Sequence, residues 1–324
     1  MTDAPGHVWV DGRLHSADDL HLSVFDRGFQ LGDGVFETLR ARAGHPAELA
    51  EHLERLRRSA DGLGIELQDD LEAIIAGAIG ELLRANELDG PDGDASVRIT
   101  LSRGAYRGRG LLPPNEHVRP TLAVQAWPVP APPAGHLERG LALVASAVRR
   151  DPESPLAALK TTSRADYVYA RLEARRAGAD DALFLTTDGF LSEATSANVF
   201  IVRRPRRNGG PGGSEGPGGS DAAELATPAI ACAILPGTTR GWILGWAREA
   251  GLATAETWLT TADLLAADEA FLSSSVAGIL PLTSYEGAPI GDGRPGVWTA
   301  RARDAREAFL RAGGTGGGTD GGRR

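Results

Sequence analysis

Two residues of this chain, a lysine and a glutamate, lie in sequence surroundings that suit chemistry on an amino group. Lys160 ends the apolar run from Pro155 to Leu159 and begins a short polar segment. Glu193 follows an Asp188-Gly189 turn between two apolar segments that the pattern predicts to be strands. A lysine held in an apolar pocket loses its charge more easily and can then attack a carbonyl as a free amine.

A carboxylate opposite such a lysine can keep a pyridine nitrogen protonated. Together the two groups predict pyridoxal 5′-phosphate (PLP) as the cofactor, with Lys160 forming the Schiff base and Glu193 maintaining the electron sink. Each residue alone has an ordinary explanation, because a lysine after an apolar run often ends a strand at the surface, and a glutamate before small polar residues often belongs to a turn or cap. The prediction therefore depends on finding a phosphate site elsewhere in the chain.

Three further segments carry groups that bind phosphate, namely helix N-terminal amides, hydroxyls and an arginine. One segment follows Pro236-Gly237 and begins a predicted helix, a second follows the strand that contains Leu272, and the third is the polar side of an amphipathic helix over 48–63. Each has an ordinary reading as a cap, a loop or a solvated charge. Their joint occurrence with the lysine and the glutamate favours a phosphate site. The predicted phosphate ligands are Arg55, Thr238, Thr239, Ser274 and Ser275.

Composition narrows the classes of function. The 324 residues are 42% hydrophobic and 24% charged, as in a globular enzyme with one large or two medium domains. A net charge of −9 disfavours a nucleic-acid partner. The single cysteine, Cys232, excludes an intrachain disulfide, and the seven histidines contain no closely spaced ligand pair, so no metal site is predicted. With no signal pattern and no apolar stretch of transmembrane length, we expect a cytoplasmic protein without a membrane partner.

Hydrophobic periodicity predicts short strands alternating with helices in two domains. A proline-rich linker at 128–136 separates a small N-terminal domain, 1–127, from a larger domain, 137–312. The larger domain is expected to contain a flexible insertion at 203–224, and a disordered tail follows at 313–324. Predicted strands cover 7–10, 13–14, 35–42, 96–102, 121–127, 141–148, 182–186, 198–202, 253–259 and 269–273, and predicted helices cover 48–63, 71–86, 164–177, 238–250 and 297–312.

With these motifs in this order, the chain resembles the class IV aminotransferases, the fold-type IV PLP enzymes. The resemblance spans about residues 7 to 310 and implies an α/β (α+β, two-domain) fold, with a smaller N-terminal α/β domain and a larger, β-barrel-like C-terminal α/β domain. It also implies a homodimer and a small-molecule amino substrate. It implies that Lys160 carries protons, that Glu193 pairs with the pyridine nitrogen and that Leu235 supports the ring face. The motifs that carry it are 26–38 (DRGFQLGDGVFET), 52–56 (HLERL), Lys160, 193–198 (EATSAN), 235–240 (LPGTTR) and 271–275 (FLSSS).

The loop after the strand over 96–102 bears on the choice of reaction. Ser102-Arg103-Gly104 followed by Arg109-Gly110 is most similar to aminodeoxychorismate lyases, and Thr38 stands where branched-chain enzymes usually carry a glycine. Those enzymes also have a tyrosine five residues after the lysine, where this chain has Ala165, so the group that bonds the PLP phenolic oxygen stays open. The predicted ligands of the substrate carboxylates are Thr38, Arg107 and Arg109.

The leading interpretation is 4-amino-4-deoxychorismate lyase, which eliminates pyruvate to leave 4-aminobenzoate in folate biosynthesis. The alternative is a transaminase that takes branched-chain L-amino acids, D-amino acids or R-amines with a 2-oxo acid acceptor. Both reactions begin when Lys160 removes the Cα proton, so the core residues do not discriminate between them. A catalytically silent PLP-binding homologue is a further alternative. An NAD enzyme is disfavoured, since Gly32-x-Gly34 lacks a third glycine and leads into a strand.

Overall fold

The computed structural model describes residues 5–19, 21–111, 118–203 and 223–315. The predicted insertion at 203–224 and the predicted tail at 313–324 fall almost wholly outside these residues. Internal contacts divide the chain into two compact units, which we take one at a time; the predicted domain boundaries themselves stay a prediction. The first unit comprises Met1–Ala131, Ala158–Ala165 and Arg306–Arg324, and the second comprises Pro132–Ala157 and Asp166–Ala305.

The first unit is built on an antiparallel sheet in the strand order β2-β1-β6-β5-β3-β4. Its strands are β1 (His7–Val10), β2 (Arg13–Ser16), β3 (Gly34–Arg42), β4 (His45–Pro46), β5 (Asp94–Ser102) and β6 (Thr121–Pro128), and its helices include α1 (Arg27–Leu31), α2 (Leu49–Gly62) and α3 (Leu71–Ala85).

Local sequence explains these elements. Asp11 and Gly12 both have positive φ angles, 46° and 97°, as the tight turn between β1 and β2 requires. The apolar stripes of α2 and α3 cover one face of the sheet and form a core with it. In β5 and β6 buried and half-buried residues alternate, because only that face is packed against the helices.

The second unit contains a larger mixed sheet with helices around it. Its elements are α4 (His136–Arg139), β7 (Leu141–Arg150), α5 (Ala165–Ala177, from Asp166), β8 (Asp181–Thr186), β9 (Leu191–Ala194), β10 (Asn198–Arg203), β11 (Glu224–Pro228), a 3₁₀ turn (Ile230–Cys232), α6 (Thr238–Glu249), β12 (Ala253–Thr257), α7 (Thr261–Leu265), β13 (Glu269–Ser274), β14 (Gly278–Tyr285), β15 (Ala288–Pro289) and α8 (Val297–Arg311, up to Ala305).

The sheet of the second unit closes on itself. Its strand order is β12-β11-β10-β13-β14-β7-β8-β9, and β9 pairs also with β10 through Glu193 and Asn198. The strands from β10 round to β9 therefore form a barrel, which leaves no free edge at this seam. All residues of β8 are buried, as expected of a strand covered on both faces. The predicted α/β fold with a barrel-like sheet in its C-terminal part is confirmed.

Candidate active site

Lys160 lies in an extended segment that is hydrogen-bonded to β3 within the first unit. The N–H of Phe36 donates to the carbonyl of Lys160 at 3.0 Å, and the N–H of Thr162 donates to the carbonyl of Gly34 at 2.8 Å. The N–H of Lys160 donates to Ser59 Oγ at 3.1 Å. The main chain at the lysine is therefore fixed from two sides. Lys160 is also the only lysine in the sequence, a signal that motif comparison had not used.

Three positively charged groups surround the ring of Phe36. The centroid of the ring lies 3.9 Å from Arg98 Cζ, 4.8 Å from Lys160 Nζ and 5.5 Å from Arg164 Cζ. Thr38 lies on the same face of β3 as Phe36 and opposite Arg98 of β5. Burial, and then the charge of Arg164, lower the pKa of Arg98. Since no carboxylate of the described residues pairs with Arg98, a bound anion would compensate this cluster.

The opposite face of β3 carries a compensated cluster. Glu37 is fully buried and accepts hydrogen bonds from Arg55 Nε and Nη2, each at 2.7 Å, while His52 Nδ1 lies 2.7 Å from Glu37 Oε2. Burial alone would raise the pKa of Glu37, but the hydrogen bonds and charges of Arg55 and His52 outweigh it and lower the pKa to about 2. Arg55, the predicted phosphate ligand, is thus buried and held by a permanently ionised carboxylate.

Glu193 is buried at the seam between β9 and β10 in the second unit. Tyr167 Oη donates to Glu193 Oε1 at 2.9 Å, and the N–H of Leu235 donates to Oε2 at 2.9 Å. Asn198, which faces Glu193 across the seam, donates from Nδ2 to the carbonyl of Leu235 at 3.0 Å. Arg150 Nη2 lies 3.9 Å from the carboxylate. The structure therefore brings Glu193 and Leu235 into direct contact.

Tyr167 is a contact of Glu193 that the sequence analysis missed. It lies two residues beyond Ala165, the position where a tyrosine was sought, and its hydroxyl binds the carboxylate of Glu193. Tyr167, Ala170 and Ala174 form the buried stripe of α5. This helical spacing was visible in the sequence and could have indicated an inward-facing tyrosine.

The two hydroxyl-rich segments of the predicted phosphate site meet within the second unit. Thr238 Oγ1 and Ser275 Oγ lie 3.2 Å apart. Thr238 and the buried Thr239 are the first two residues of α6, whose N-cap, Gly237, has an extended backbone. Ser274 Oγ accepts the N–H of Ala277 at 3.2 Å. Helix amides and hydroxyls are thus concentrated at one place, as an anion requires.

The predicted substrate ligands are less tightly grouped. Arg107 and Arg109 are exposed on the loop after β5, where Arg107 Cζ lies 5.7 Å from the ring of Phe25. Across the residues that the structure describes, no hydrogen bond or ion pair links either arginine to Thr38. That the three side chains act together on a substrate stays a prediction.

The base of this loop is anchored by a buried ion cluster. Asp33 accepts hydrogen bonds from Arg27 Nε at 2.7 Å and from Arg103 Nε at 2.8 Å. Arg27 also donates to the carbonyls of Gly110 and Leu111, at 3.3 and 3.0 Å. Burial raises the pKa of Asp33, but the two guanidinium groups outweigh it and lower the pKa.

Two kinds of feature were searched for and not found in the described part of the chain. No three His, Cys, Asp or Glu side chains there are grouped so that they could hold a metal ion. None of the helices described is long and apolar enough to cross a membrane.

Comparison with known proteins agrees with this geometry. The sequence model of the family described as "Amino-transferase class IV" matches residues 34–285. A putative branched-chain-amino-acid aminotransferase of Methanocaldococcus jannaschii is 34% identical over 92% of this chain and 94% of its own length. A D-alanine aminotransferase of Bacillus licheniformis is 30% identical, with 92% and 95% covered. An aminodeoxychorismate lyase of Bacillus subtilis is 30% identical, with 86% of each chain covered.

The fold has solved counterparts. The structure of a branched-chain amino acid aminotransferase with pyridoxamine 5′-phosphate, from the organism abbreviated T.th., superposes with a TM-score of 0.82 at 25% identity, and the match covers 96% of each chain. The similarity therefore extends over nearly the whole chain in both sequence and structure.

Proposed function

Because the chain belongs to the class IV aminotransferases, which are PLP-dependent enzymes, we propose that it eliminates pyruvate from 4-amino-4-deoxychorismate and leaves 4-aminobenzoate. The observation that carries this proposal is the cation cluster around Phe36. Arg98 and Arg164 share one ring with Lys160 and have no compensating carboxylate on Arg98 within the described residues. The substrate carries a ring carboxylate and an enolpyruvyl carboxylate, which suit such a cluster.

The residues of the second unit fit PLP. Glu193 has only neutral hydrogen-bond donors, from Tyr167 and Leu235, so a protonated pyridine nitrogen would supply the missing positive partner. Ser273, which lies opposite Asn198 and so shares a sheet face with Glu193, is 2% exposed, and its Oγ has no hydrogen-bond partner among the described residues. A phosphorylated, hydrogen-bonding ligand satisfies groups of this kind.

PLP, when bound, supplies an electron sink for the carbon that bears the substrate amine. In our proposal Lys160 holds the cofactor covalently and, once released, takes the proton from that carbon. The C–O bond to the enolpyruvyl group then breaks, and the Lys160 ammonium returns a proton to the departing group, which leaves as pyruvate. Glu193 keeps the ring nitrogen protonated.

The remaining residues bind and orient in this proposal. Arg55, Thr238, Thr239, Ser274 and Ser275 hold the phosphate, and Leu235 supports the ring. The substrate carboxylates contact Arg98 and Arg164, with Thr38, Arg107 and Arg109 as further ligands. Arg98 and Arg164 enter this set because of their distances to Phe36.

A transaminase is the second candidate, favoured by the 34% identity to the Methanocaldococcus jannaschii protein. The same cation cluster suits the second carboxylate of a dicarboxylic amino acid or 2-oxo acid. In this reaction Lys160 returns the proton to the cofactor, which keeps the amine. Branched-chain L-amino acids, D-amino acids and R-amines are the donors to be compared.

One experiment separates these reactions. The purified protein is incubated with 4-amino-4-deoxychorismate, and 4-aminobenzoate and pyruvate are quantified; equimolar formation of both supports the lyase. In parallel, the cofactor absorbance is followed during titration with L-leucine, D-alanine or (R)-1-phenylethylamine. Conversion of the cofactor by one donor, without 4-aminobenzoate formation, makes the protein a transaminase. Cofactor absorbance without either reaction identifies a silent homologue.

We further propose that the enzyme is a cytoplasmic homodimer. Light scattering after size-exclusion chromatography measures the molar mass directly, and a value near one chain of 33.9 kDa would refute the dimer. Fractionation of the producing cells tests the location.

A further inference from the structure

The backbone of Leu235 is held at both of its polar groups by two residues that face each other across the barrel seam. Glu193 Oε2 accepts the Leu235 N–H at 2.9 Å, and Asn198 Nδ2 donates to the Leu235 carbonyl at 3.0 Å. Glu193 and Asn198 are directly paired in register. Because both groups of one peptide residue are fixed, the chain enters the next turn, Pro236-Gly237, in one orientation.

The amide of Asn198 also contacts the far end of this turn. A Cβ atom at Gly237 would lie 2.2 Å from Asn198 Oδ1, a distance that no real side chain tolerates. The backbone of Gly237, with φ −69° and ψ 138°, is one that alanine adopts freely. Glycine is therefore required at this position by the Asn198 side chain and not by the backbone.

Gly237 is the N-cap of α6, and no side chain caps that helix among the described residues. The first turn of α6 carries Thr238, whose hydroxyl lies 3.2 Å from that of Ser275. The direction of the N-terminal amides of α6 thus follows from a turn that Asn198 grips at its beginning and at its end. The unpartnered, buried hydroxyl of Ser273 lies beside Asn198 on the neighbouring strand.

We propose that Asn198 is a positioning residue that sets the α6 N-terminus for the phosphate of PLP and ties it to Glu193, the partner of the ring nitrogen. The inference rests on the phosphate site of the proposed function. One amide then couples two contacts of the cofactor that are made by different segments, so the distance between phosphate and ring nitrogen is built into the seam of the barrel.

The test compares two ligands on the purified apoprotein, PLP and pyridoxal, which lacks the phosphate. Affinities are measured by equilibrium dialysis for wild type and Asn198→Ala. We expect Asn198→Ala to weaken PLP about tenfold, the scale of one buried hydrogen bond, and to change pyridoxal by less than about twofold. A variant that simply misfolds would lose both ligands. Equal weakening of both ligands, or no change in PLP affinity, would overturn the proposal.

A second variant pair tests the contact itself. Gly237→Ala should weaken PLP more than about tenfold, because the new Cβ meets Asn198 Oδ1. In Asn198→Ala/Gly237→Ala that clash is removed, so the double variant should bind PLP better than Gly237→Ala alone. Strictly additive losses would contradict the coupling. Failure of wild type to bind PLP would instead refute the proposed site, and this inference with it, whereas the other outcomes concern Asn198 only.

Discussion

The two faces of β3 treat positive charge in opposite ways. On one face Arg55 is buried against Glu37, which binds it through two hydrogen bonds and is completed by His52. On the other face Arg98 lies 3.9 Å from the ring of Phe36 without a carboxylate partner in the described parts of the chain. Neighbouring residues of one strand, Phe36 and Glu37, therefore separate a compensated cluster from an uncompensated one.

This difference separates two roles that buried charges have in proteins. A compensated cation costs little as long as its partner remains, and it holds a side chain in one orientation. An uncompensated, half-buried cation destabilises the folded chain and is retained where a ligand supplies the missing charge. The face with Lys160 thus has the electrostatics of a binding surface, whereas the face with Arg55 has those of a support. Four predictions, in descending size of effect, test this comparison.

Lys160→Ala should have the largest effect. Without the amine, turnover should fall by about 10³-fold or more. Since the chain has no other lysine, borohydride reduction of the wild-type holoprotein should attach the cofactor to one peptide, the one that contains Lys160. Peptide mass spectrometry checks this. A variant that keeps its cofactor absorbance and its activity would refute the assignment of Lys160.

Glu37→Gln should break the compensated face. The substitution leaves the buried guanidinium of Arg55 without an anionic partner, so we expect the free energy of unfolding to fall by about 3–5 kcal/mol. Urea denaturation measures it. Glu72→Gln is the matched control, because Glu72 pairs with Arg57 on the exposed surface and should change stability by less than about 1 kcal/mol. Equal losses in the two variants would remove the distinction drawn here.

Acid should weaken the same cluster. The pKa of Glu37 is about 2 in the folded chain, against 4.5 for a free glutamate, so its ionised form is favoured by folding. Its contribution is complete above pH 4.5 and is lost as the pH falls from there towards 2, by about 3 kcal/mol in total. Stability curves of wild type and Glu37→Gln between about pH 6 and pH 2 should therefore converge. Parallel curves would show that Glu37 is not the titrating group.

Arg98→Gln should break the uncompensated face with the smallest effect. We expect the KM for 4-amino-4-deoxychorismate to rise about tenfold, because a charge-assisted hydrogen bond is lost, while the cofactor absorbance is unchanged. Thermal stability should stay level or rise, since a half-buried charge without a partner is removed. Arg58→Gln, on the exposed side of α2, serves as control. An unchanged KM together with lower stability would make Arg98 a structural residue.

Elements with a strong periodic pattern could be predicted from the sequence. Helices α2 and α3 lie within about one residue of their predicted ranges, because their apolar stripes are long and regular. Strand β14 was missed, since Pro281 interrupts it and proline argues against a central strand. In the structure Pro281 pairs with β13 only, and the pairing with β7 begins at Leu282, so the missing N–H lies where β14 has one neighbour.

The candidate site divides in the same way. Lys160 and Glu193 were recognisable because each lies in a contiguous motif. Arg98 carries no local signal, since its place beside Phe36 depends on the register of β5 against β3. Asn198 lay within a recognised motif, but its hold on Leu235 depends on the pairing of β9 with β10 and on a turn far along the chain. Pairing between distant strands is not encoded in any local pattern.

The anchored main chain at Lys160 has a consequence for motion. Hydrogen bonds to β3 and to Ser59 hold the backbone of this segment, so the amine changes position by rotation about its side-chain bonds alone. Rotations of that kind take picoseconds to nanoseconds where the side chain is unhindered. The amine can therefore change from tether to proton carrier without any loop opening, and the amides of Lys160 and Thr162 should exchange their hydrogens as slowly during turnover as at rest.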